Sequence, residues 1–506
     1  MTADRLAEQV DVVVVGCGTT GLALVRLLQL EGLRVAAVER GRLPISFPRA
    51  TKVDDETMRV WQTLGLRHLE PTFSLVGSYR FYDADWHVIM EMALNRGVTE
   101  QGWQSDYMFH QPDFEAVLRG HAHSDADTAA YFGWQLAGFE DVGDEARVDI
   151  REVASGQQRR IRTGFLVGAD GANSRVREML GVGQIDYHAT HRQLITDIVP
   201  FVENESLQGR DTFIRGGIRN PLTFVPIAAP RLRFELMLRP DDDAVEFERI
   251  EKAHEMLAPW FTPDQYRILR SDVYEWRSLI AEPWRVGRVL LAGDAAHTMP
   301  PHLGQGMCSG IRDATNLAWK LARVVRGVSP LGLLDSYETE RRPHVETYVV
   351  LAAQMANQIE QMEVPGLGQA DDEPETTKIG TLRPRMGAGV RAGHSDQLAG
   401  TLSPQPSLRE GRLMDDAVGY RFAVVADPAC LDAVTQATRT RLEELDVAVL
   451  CESTGGLADW IGGVDAGAVI IRPDRYVYGS ASTGPELDAL VAELEATLAP
   501  SPIAAS

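Results

Sequence analysis

The sequence predicts a mixed α/β protein. A Rossmann-like nucleotide-binding domain carries an inserted antiparallel-sheet domain, and a smaller α/β domain follows at the C-terminal end. Three observations predict this. Val10–Val15 (VDVVVV) is a nearly continuous apolar run that enters a glycine turn, as a buried parallel strand does before a helix. Two later apolar strands, Phe165–Ala169 and Val289–Ala292, end in Asp170-Gly171 and Gly293-Asp294. Between those two the pattern changes to alternation, as in Arg231–Met237 (RLRFELM), which fits half-buried antiparallel strands.

The first strand runs into Gly16-Cys17-Gly18-Thr19-Thr20-Gly21 and an amphipathic helix, Leu22–Glu31. A second strand, Arg34–Val38, ends at Glu39, about 20 positions on. That is a dinucleotide fingerprint. Gly16 makes the tight turn, Gly18 lets backbone approach a pyrophosphate, and Gly21 lets helix pack on strand. Glu39 can accept from ribose hydroxyls.

The irregular segment Pro44–Thr57 follows, with Arg49 fixed behind a proline. Met58–Leu69 reads as a helix. Val76–Ala93 reads as a hairpin turning at Asp83-Ala84-Asp85. Gln111-Pro112 opens a helix running to about His121, since proline suits a first turn. Ala146–Ile161 reads as a strand pair around Ser155-Gly156. Gln193–Asp197, Asp211–Arg239 and Tyr274–Ile280 read as strands, and Glu246–Leu257 as a helix.

The stretch Val289–Lys320 organises the chain. A buried strand turns at Gly293-Asp294, crosses a Pro/Gly loop and enters a helical pattern near Gly306. Backbone N–H groups at such a helix start point outward and favour an anion. Thr315–Val325 and Gly332–Ala356 read as long helices, with Glu338–Glu340 and Arg341-Arg342 on a solvated charged face. The acidic Glu363–Glu375 reads as a linker. Phe422–Ala426, Val447–Cys451 and Val469–Arg472 then read as strands, and Thr440–Leu445 and Glu486–Thr497 as helices. This last domain has neither a C-x-x-C nor a glycine fingerprint, so it is expected to be dispensable for chemistry.

Residues 1–75, 111–185 and 281–362 are thus assigned to the cofactor domain, and 76–110 and 186–280 to the inserted domain. Residues 363–384 are assigned to a linker and 385–506 to the C-terminal domain. The net charge of −22 disfavours nucleic acid or an anionic membrane as partner. No apolar run is long enough to span a bilayer, and the first ten residues lack a signal-peptide core. Cys17, Cys308, Cys430 and Cys451 lack metal-ligand spacing and fit buried thiols in a reduced, cytoplasmic protein. No metal site is expected.

Three motifs stand together: GCGTTG at Gly16–Gly21, GADGANSRVR at Gly168–Arg177, and AGDAAHTMPPHLGQGMCSGIRDA at Ala292–Ala314. The constellation resembles the single-component FAD-dependent aromatic hydroxylases of the para-hydroxybenzoate hydroxylase fold. Within them it is most similar to the 3-(3-hydroxyphenyl)propionate hydroxylase and polyketide hydroxylase branch. PRATKVDDETMR at Pro48–Arg59, HQPDFEAVL at His110–Leu118 and the run through His344 support this. The tail, through FAVVAD and IIRPDRYVYG, resembles the thioredoxin-like C-terminal domain of that branch.

The resemblance implies the site. Gly16, Gly18 and Gly21 take the FAD pyrophosphate and Glu39 the adenosine ribose. Arg49 and Gln111 match flavin-contacting residues. Asp170 matches an acid with a part in FAD and NAD(P)H binding, and Asp294 the acid on the ribityl chain. Pro300 lies by the reacting face of the flavin, and Gly304, Gly306 and Met307 lie near its pyrimidine edge. Thr20, Arg40 and Pro301 complete the cofactor-binding set. Thr19-Thr20 departs from relatives, which often carry Pro-Val there. His302 occupies a variable loop position and is the candidate base; His297 reads as structural.

The implied reaction is hydroxylation of a phenolic or other electron-rich ring with NAD(P)H and O₂, through a C4a-hydroperoxyflavin. Polyketide tailoring on the same scaffold, an FAD oxidase or dehydrogenase without oxygen insertion, and a non-enzymatic FAD-binding protein are the rival readings. Self-association as a homodimer is a further expectation.

Overall fold

The computed structural model describes residues 8–75, 77–93, 97–207, 211–361, 382–393 and 396–499. Gln9–Val15 lies inside an eight-stranded sheet, where Val12, Val13 and Val14 are fully buried. A nearly unbroken valine run requires cover on both faces, and here it has it. Val35–Glu39 and Gln158–Gly168 flank the strand in parallel, with Thr128–Phe132 and Val289–Leu291 parallel beyond them. The register aligns Val15 with Gly168, and Gly168 with Leu291. The strand ends carrying the three motifs are therefore neighbours. Crevices at the carboxyl ends of parallel strands are where such sheets bind ligands.

The inserted domain is built on a second eight-stranded sheet. Its order is His297–Thr298, Tyr266–Glu282, Gly183–Pro200, Leu232–Leu238, Leu222–Pro226, Thr212–Arg215, Ser78–Tyr82 and Val88–Ala93. The hairpin Ser78–Ala93 thus joins residues from beyond 186, pairing in parallel with Thr212–Arg215. One face carries the packed aromatics Phe213, Phe224 and Phe234, closed by the helix Ile250–Leu257. The other face looks toward the cofactor domain.

The elements differ from the sequence reading mainly in length. Gly183–Pro200 and Tyr266–Glu282 are 18- and 17-residue strands rather than the short pieces expected. Their outer parts are polar, and mutual pairing sustains them where an apolar pattern does not. Gln158–Gly168 is one strand, so Phe165–Ala169 is not separate. The helix read as Met58–Leu69 is Asp55–Thr63, opened by Asp54, whose side chain accepts from the Thr57 N–H. The pattern Glu246–Leu257 splits into Ala244–Phe247 and Ile250–Leu257. One helix, Gly306–Val325, includes the expected Thr315–Val325, and Asp335–Gln361 replaces Gly332–Ala356.

The C-terminal sheet runs Ala448–Cys451, Ala423–Ala426, Ala468–Ile471, Val477–Ala481, the first two strands parallel and the rest antiparallel. With helices after the first two strands and after the last, this is a thioredoxin-like arrangement. Of the expected linker, all but residues 382–384 lie outside the described residues. Cys451 is exposed, not buried as expected, because it ends the edge strand.

The charged helix face needs a larger correction. Glu340 and Arg341 are fully buried beneath the C-terminal domain. Arg472 reaches Glu340 at 2.7 Å, and Lys320 reaches it at 2.7 Å from the neighbouring helix. Against burial, which acts to raise it, Arg472 and Lys320 hold the Glu340 carboxyl down at about 2. Tyr476 donates to Glu56 at 2.8 Å, and Arg59 grips Asp415 with two 2.9 Å bonds. Only Glu338 and Arg342 keep partial contact with solvent. Periodic charges identify a helix face but not what covers it. The C-terminal domain is thus tied to the cofactor domain by buried ion pairs.

Candidate active site

The aligned strand ends open on a cavity of about 1590 Å³. That exceeds the ~300–1,000 Å³ usual for one small ligand and suits a large cofactor with a substrate beside it. Its walls include Gly16, Gly18, Thr20, Glu39, Arg40, Arg49, Gln111, Asp170, Asp294, Pro300, Pro301, His302, Gly304, Gly306 and Met307. Gly21 stands behind the wall: a Cβ there would lie 1.8 Å from the Gly16 carbonyl oxygen, so it serves helix–turn packing.

The cradle fits a dinucleotide on its own geometry. Gly16 has φ +98°, and a Cβ would strike the Ala169 carbonyl oxygen at 2.3 Å. At Gly18 a Cβ would have nothing nearer than Glu115 at 4.0 Å, so the open side faces the cavity. Gly18 begins the helix Thr19–Leu30 with no side-chain cap. Gln305 likewise begins Gly306–Val325 without one. Uncapped N–H groups at two helix starts thus line one cavity, each favouring negative charge. Glu39 accepts from the Cys17 N–H at 2.9 Å and the Gly41 N–H at 2.8 Å, which fixes its carboxylate beside the turn.

Gln111 is buried, and its Oε1 accepts from the N–H groups of Arg49 at 2.9 Å and Ala50 at 2.8 Å. It therefore sets the strap that presents Arg49. Arg233 completes the strap: it donates to the carbonyls of Pro48 and Arg49 while pairing with Asp197 at 2.6 Å. The alternating pattern pointed to Arg233 as a strand residue but not to this reach.

Asp170 accepts from Ser174 and from the N–H groups of Arg175 and Val176. Its carboxylate shapes the loop and opens the helix Arg175–Leu180. Arg177, quoted in the motif but given no role, bridges two motifs: it donates to Ala172 at 2.6 Å and Ala295 at 2.9 Å.

Asp294 lies open on the cavity wall although protein surrounds it. Burial pushes its carboxyl up, against the pull of His297 and Arg49. The preceding Gly293 has φ +60° and no room for a Cβ, since Thr20 Oγ1 would lie 2.7 Å away. Thr20 Oγ1 also comes within 2.2 Å of where a Gly310 Cβ would be. Thr20 is thus a packing residue between two motifs as well as a wall residue. Asp313, a quoted residue without an assigned role, accepts from Gly293 N–H at 3.0 Å, His297 Nε2 at 2.6 Å and Arg341 Nε at 2.9 Å. His297 is fully buried in that group and lies off the cavity wall, as a structural histidine should.

Pro300 leads into the turn Pro301–Leu303, and Gly304 follows in the left-handed region. Lys52 lies against that turn and pairs with Asp106 at 2.7 Å. His302 faces the cavity with its Nε2 buried and without a hydrogen-bond partner among the described residues. Burial, then the charge of His191, lowers its imidazole to about 3, so it is neutral at ordinary pH. Among the described residues no group of three His, Cys, Asp or Glu is placed to hold a metal, and no helix is long and apolar enough to cross a membrane.

Comparison with known proteins defines the class as flavoprotein monooxygenase. The chain belongs to the FAD binding domain family, whose model matches residues 9–352. Residues 427–497 match the HcaD C-terminal domain. The chain is 34% identical to a probable NADH-specific resorcinol 4-hydroxylase of Rhodococcus jostii, over 98% of this chain and 96% of that one. It is 31% identical to a 3-(3-hydroxy-phenyl)propionate/3-hydroxycinnamic acid hydroxylase of Mycolicibacterium gilvum, over 96% and 92%. Among solved structures it resembles aklavinone-11 hydroxylase in a ternary complex with FAD and aklavinone. The TM-score is 0.80 at 24% identity, covering 97% and 99% of the two chains. The rebeccamycin biosynthetic enzyme RebC also has a TM-score of 0.80, at 21% identity and over 97% and 99% of the chains. These two likenesses speak for the fold. The protein is an FAD-dependent aromatic hydroxylase.

Proposed function

We propose that the chain adds one hydroxyl group to a phenolic ring held between the Pro300–Gly304 loop and the sheet wall, with NAD(P)H as hydride source. The observation that carries this reading is the convergence of three motif-bearing strand ends and two uncapped helix starts on one sheet-walled cavity. Bound flavin supplies the redox chemistry, passing electrons from NAD(P)H to O₂ and one oxygen atom to the ring.

The chain's residues bind and orient. Gly16, Gly18 and Gly21 let the helix start receive the pyrophosphate, and Thr20 keeps that turn against Gly293. Glu39 accepts from the adenosine ribose, with Arg40 beside it. Asp294 accepts from a ribityl hydroxyl. Arg49, presented by Gln111, meets the isoalloxazine. Asp170 keeps the neighbouring loop in shape for both nucleotides. Gly304, Gly306 and Met307 bring N–H groups to the pyrimidine edge, where they favour negative charge. Pro300 and Pro301 wall the reacting side and exclude water. His302 Nε2 accepts a hydrogen bond from the phenolic O–H; held neutral, it polarises that bond more than it takes the proton.

The name of the relative at 34% identity supports NADH and a small hydroxylated benzene. Polyketide tailoring shares these steps, but its support is a common fold, and fold does not fix substrate. A cytoplasmic location and a homodimer complete the proposal; size-exclusion chromatography of the holoenzyme tests the latter. Stopped-flow reduction at saturating NADH should quicken when a phenol is present, and product should carry label from ¹⁸O₂. NADH oxidation without label in any product would overturn hydroxylation and leave an oxidase.

A further inference from the structure

The cavity-facing side of the inserted sheet is unusually polar for a wall behind an aromatic ring. The registers pair Tyr79 with Thr212, and Thr223 with Glu235, on neighbouring strands. All four side chains line the cavity, and all four residues are over nine-tenths buried. Their chain neighbours Phe213, Phe224 and Phe234 face the opposite, aromatic side, so alternation fixes the polar set toward the cavity.

Glu235 is the odd member. Its backbone is paired in the sheet, but its carboxylate makes no hydrogen bond among the described residues. The nearest cation, Arg233, stands 3.8 Å away and is already held by Asp197 and by the carbonyls of Pro48 and Arg49. Arg270 pairs with Asp272 at 3.0 Å and lies over the Phe47 ring. Thr212 Oγ1 is also buried without a partner. Buried polar groups are nearly always hydrogen-bonded, and an unbonded carboxylate is the costliest exception. Its carboxylate lines the cavity, so a ligand seated there can supply the donor.

We infer that Glu235, with Thr223 paired opposite it, forms a subsite that accepts a hydrogen bond from a second ring hydroxyl of the substrate. The substrate class is then a small neutral benzenediol rather than an arene acid. This rests on the phenol-hydroxylase reading above and narrows it. A substrate carboxylate in this subsite would meet an acceptor of the same charge, whereas a phenolic O–H donates. Burial, opposed by Arg233, pushes the Glu235 carboxyl up. The Thr223 hydroxyl, on the facing position of the next strand, can donate to the same substrate oxygen that gives its proton to Glu235.

The test compares resorcinol, phenol and 3-(3-hydroxyphenyl)propionate with the FAD-loaded enzyme and its Glu235→Gln and Thr223→Val variants. Two readouts are taken: kcat/KM for hydroxylated product, and binding to the oxidised holoenzyme followed by the flavin absorbance change. The wild type should prefer resorcinol to phenol at least tenfold in both, with the propionate weakest. Glu235→Gln should cut the resorcinol-to-phenol ratio about tenfold and improve the propionate. An unchanged ratio in an FAD-loaded Glu235→Gln enzyme would overturn the inference. Should that variant lose its flavin, Thr223→Val decides the matter: a lowered ratio supports the subsite and an unchanged one refutes it. Absence of hydroxylated product from all three compounds would strike the proposed function instead, while the binding ratio, which needs no turnover, would still judge Glu235.

Discussion

Arg341 and Arg342 are adjacent in sequence and opposite in surroundings, which makes them a sharp test of the buried network. Arg341 donates to Asp313 at 2.9 Å and to the Ser309 carbonyl at 3.2 Å, with no solvent exposure on either member of the ion pair. Arg342 bridges Glu282 at 2.6 Å and Glu338 at 3.4 Å, at the surface. Arg341→Met removes one partner of a buried pair, a change that typically costs about 3–5 kcal/mol. Asp313 keeps its bonds from Gly293 and His297, so the lower end of that range is expected here. Arg342→Met should cost under ~1 kcal/mol, as exposed pairs do. The assay is the denaturant midpoint of each variant with saturating FAD, read by tryptophan emission and flavin release at a fixed incubation time. A cost of about 3 kcal/mol corresponds to roughly a 150-fold change in the folding equilibrium. Because Asp313 also pins the Gly293 turn, Arg341→Met should release flavin at lower denaturant than it loses helix. Equal costs for the two variants, or a larger one for Arg342, would refute the burial argument.

Asp294→Ala should weaken FAD by roughly ten- to 150-fold, the worth of one charge-assisted hydrogen bond of about 1.5–3 kcal/mol, with little change in circular dichroism; unchanged affinity by fluorescence titration would remove Asp294 from the site. A chain ending at residue 361 should fail to fold rather than fold without its tail, because Glu340, Arg59 and Glu56 would lose their buried partners Arg472, Asp415 and Tyr476; a soluble, flavin-bound truncation would contradict this. His302 stays neutral in the fold down to about pH 3, while the unfolded chain protonates near the ordinary histidine value of 6.5. Its contribution should therefore be constant above ~pH 6.5 and lower stability progressively as pH falls toward 3. His302→Asn should flatten that part of the stability profile and also reduce the phenol-induced gain in flavin reduction.

The fold class was legible because buried parallel strands and glycine turns leave local marks. Val12–Val15, Gly16–Gly21 and the paired strand ends at Asp170 and Asp294 declare themselves within a few residues. The wall residues follow from the same marks plus the family resemblance. Strand length was less legible: the outer half of Gly183–Pro200 is polar and persists because Tyr266–Glu282 pairs with it. The positioning residues were harder still. Arg177, Arg233 and Asp313 act across separations of 118 to 185 residues, or 16 to 28 along one helical region, and nothing local announces a partner. Glu340 and Arg341 mark the limit most clearly. Their charges have the spacing of a solvated face, and only the packing of another domain turns that face inward.

The ties between Tyr476 and Glu56, and between Arg472 and Glu340, carry a consequence for synthesis. They join residues 420 and 132 positions apart. A ribosome delivers the glycine turn long before Arg472. Domains tend to fold as they emerge, but here the early segment leaves the tunnel with charged groups whose buried partners do not yet exist. The cofactor half must wait, with its flavin cradle drafted and its charges open to water, until the hairpin that carries Arg472 and Tyr476 is out. Flavin capture should therefore mark the docking of the C-terminal domain rather than the folding of the first domain alone.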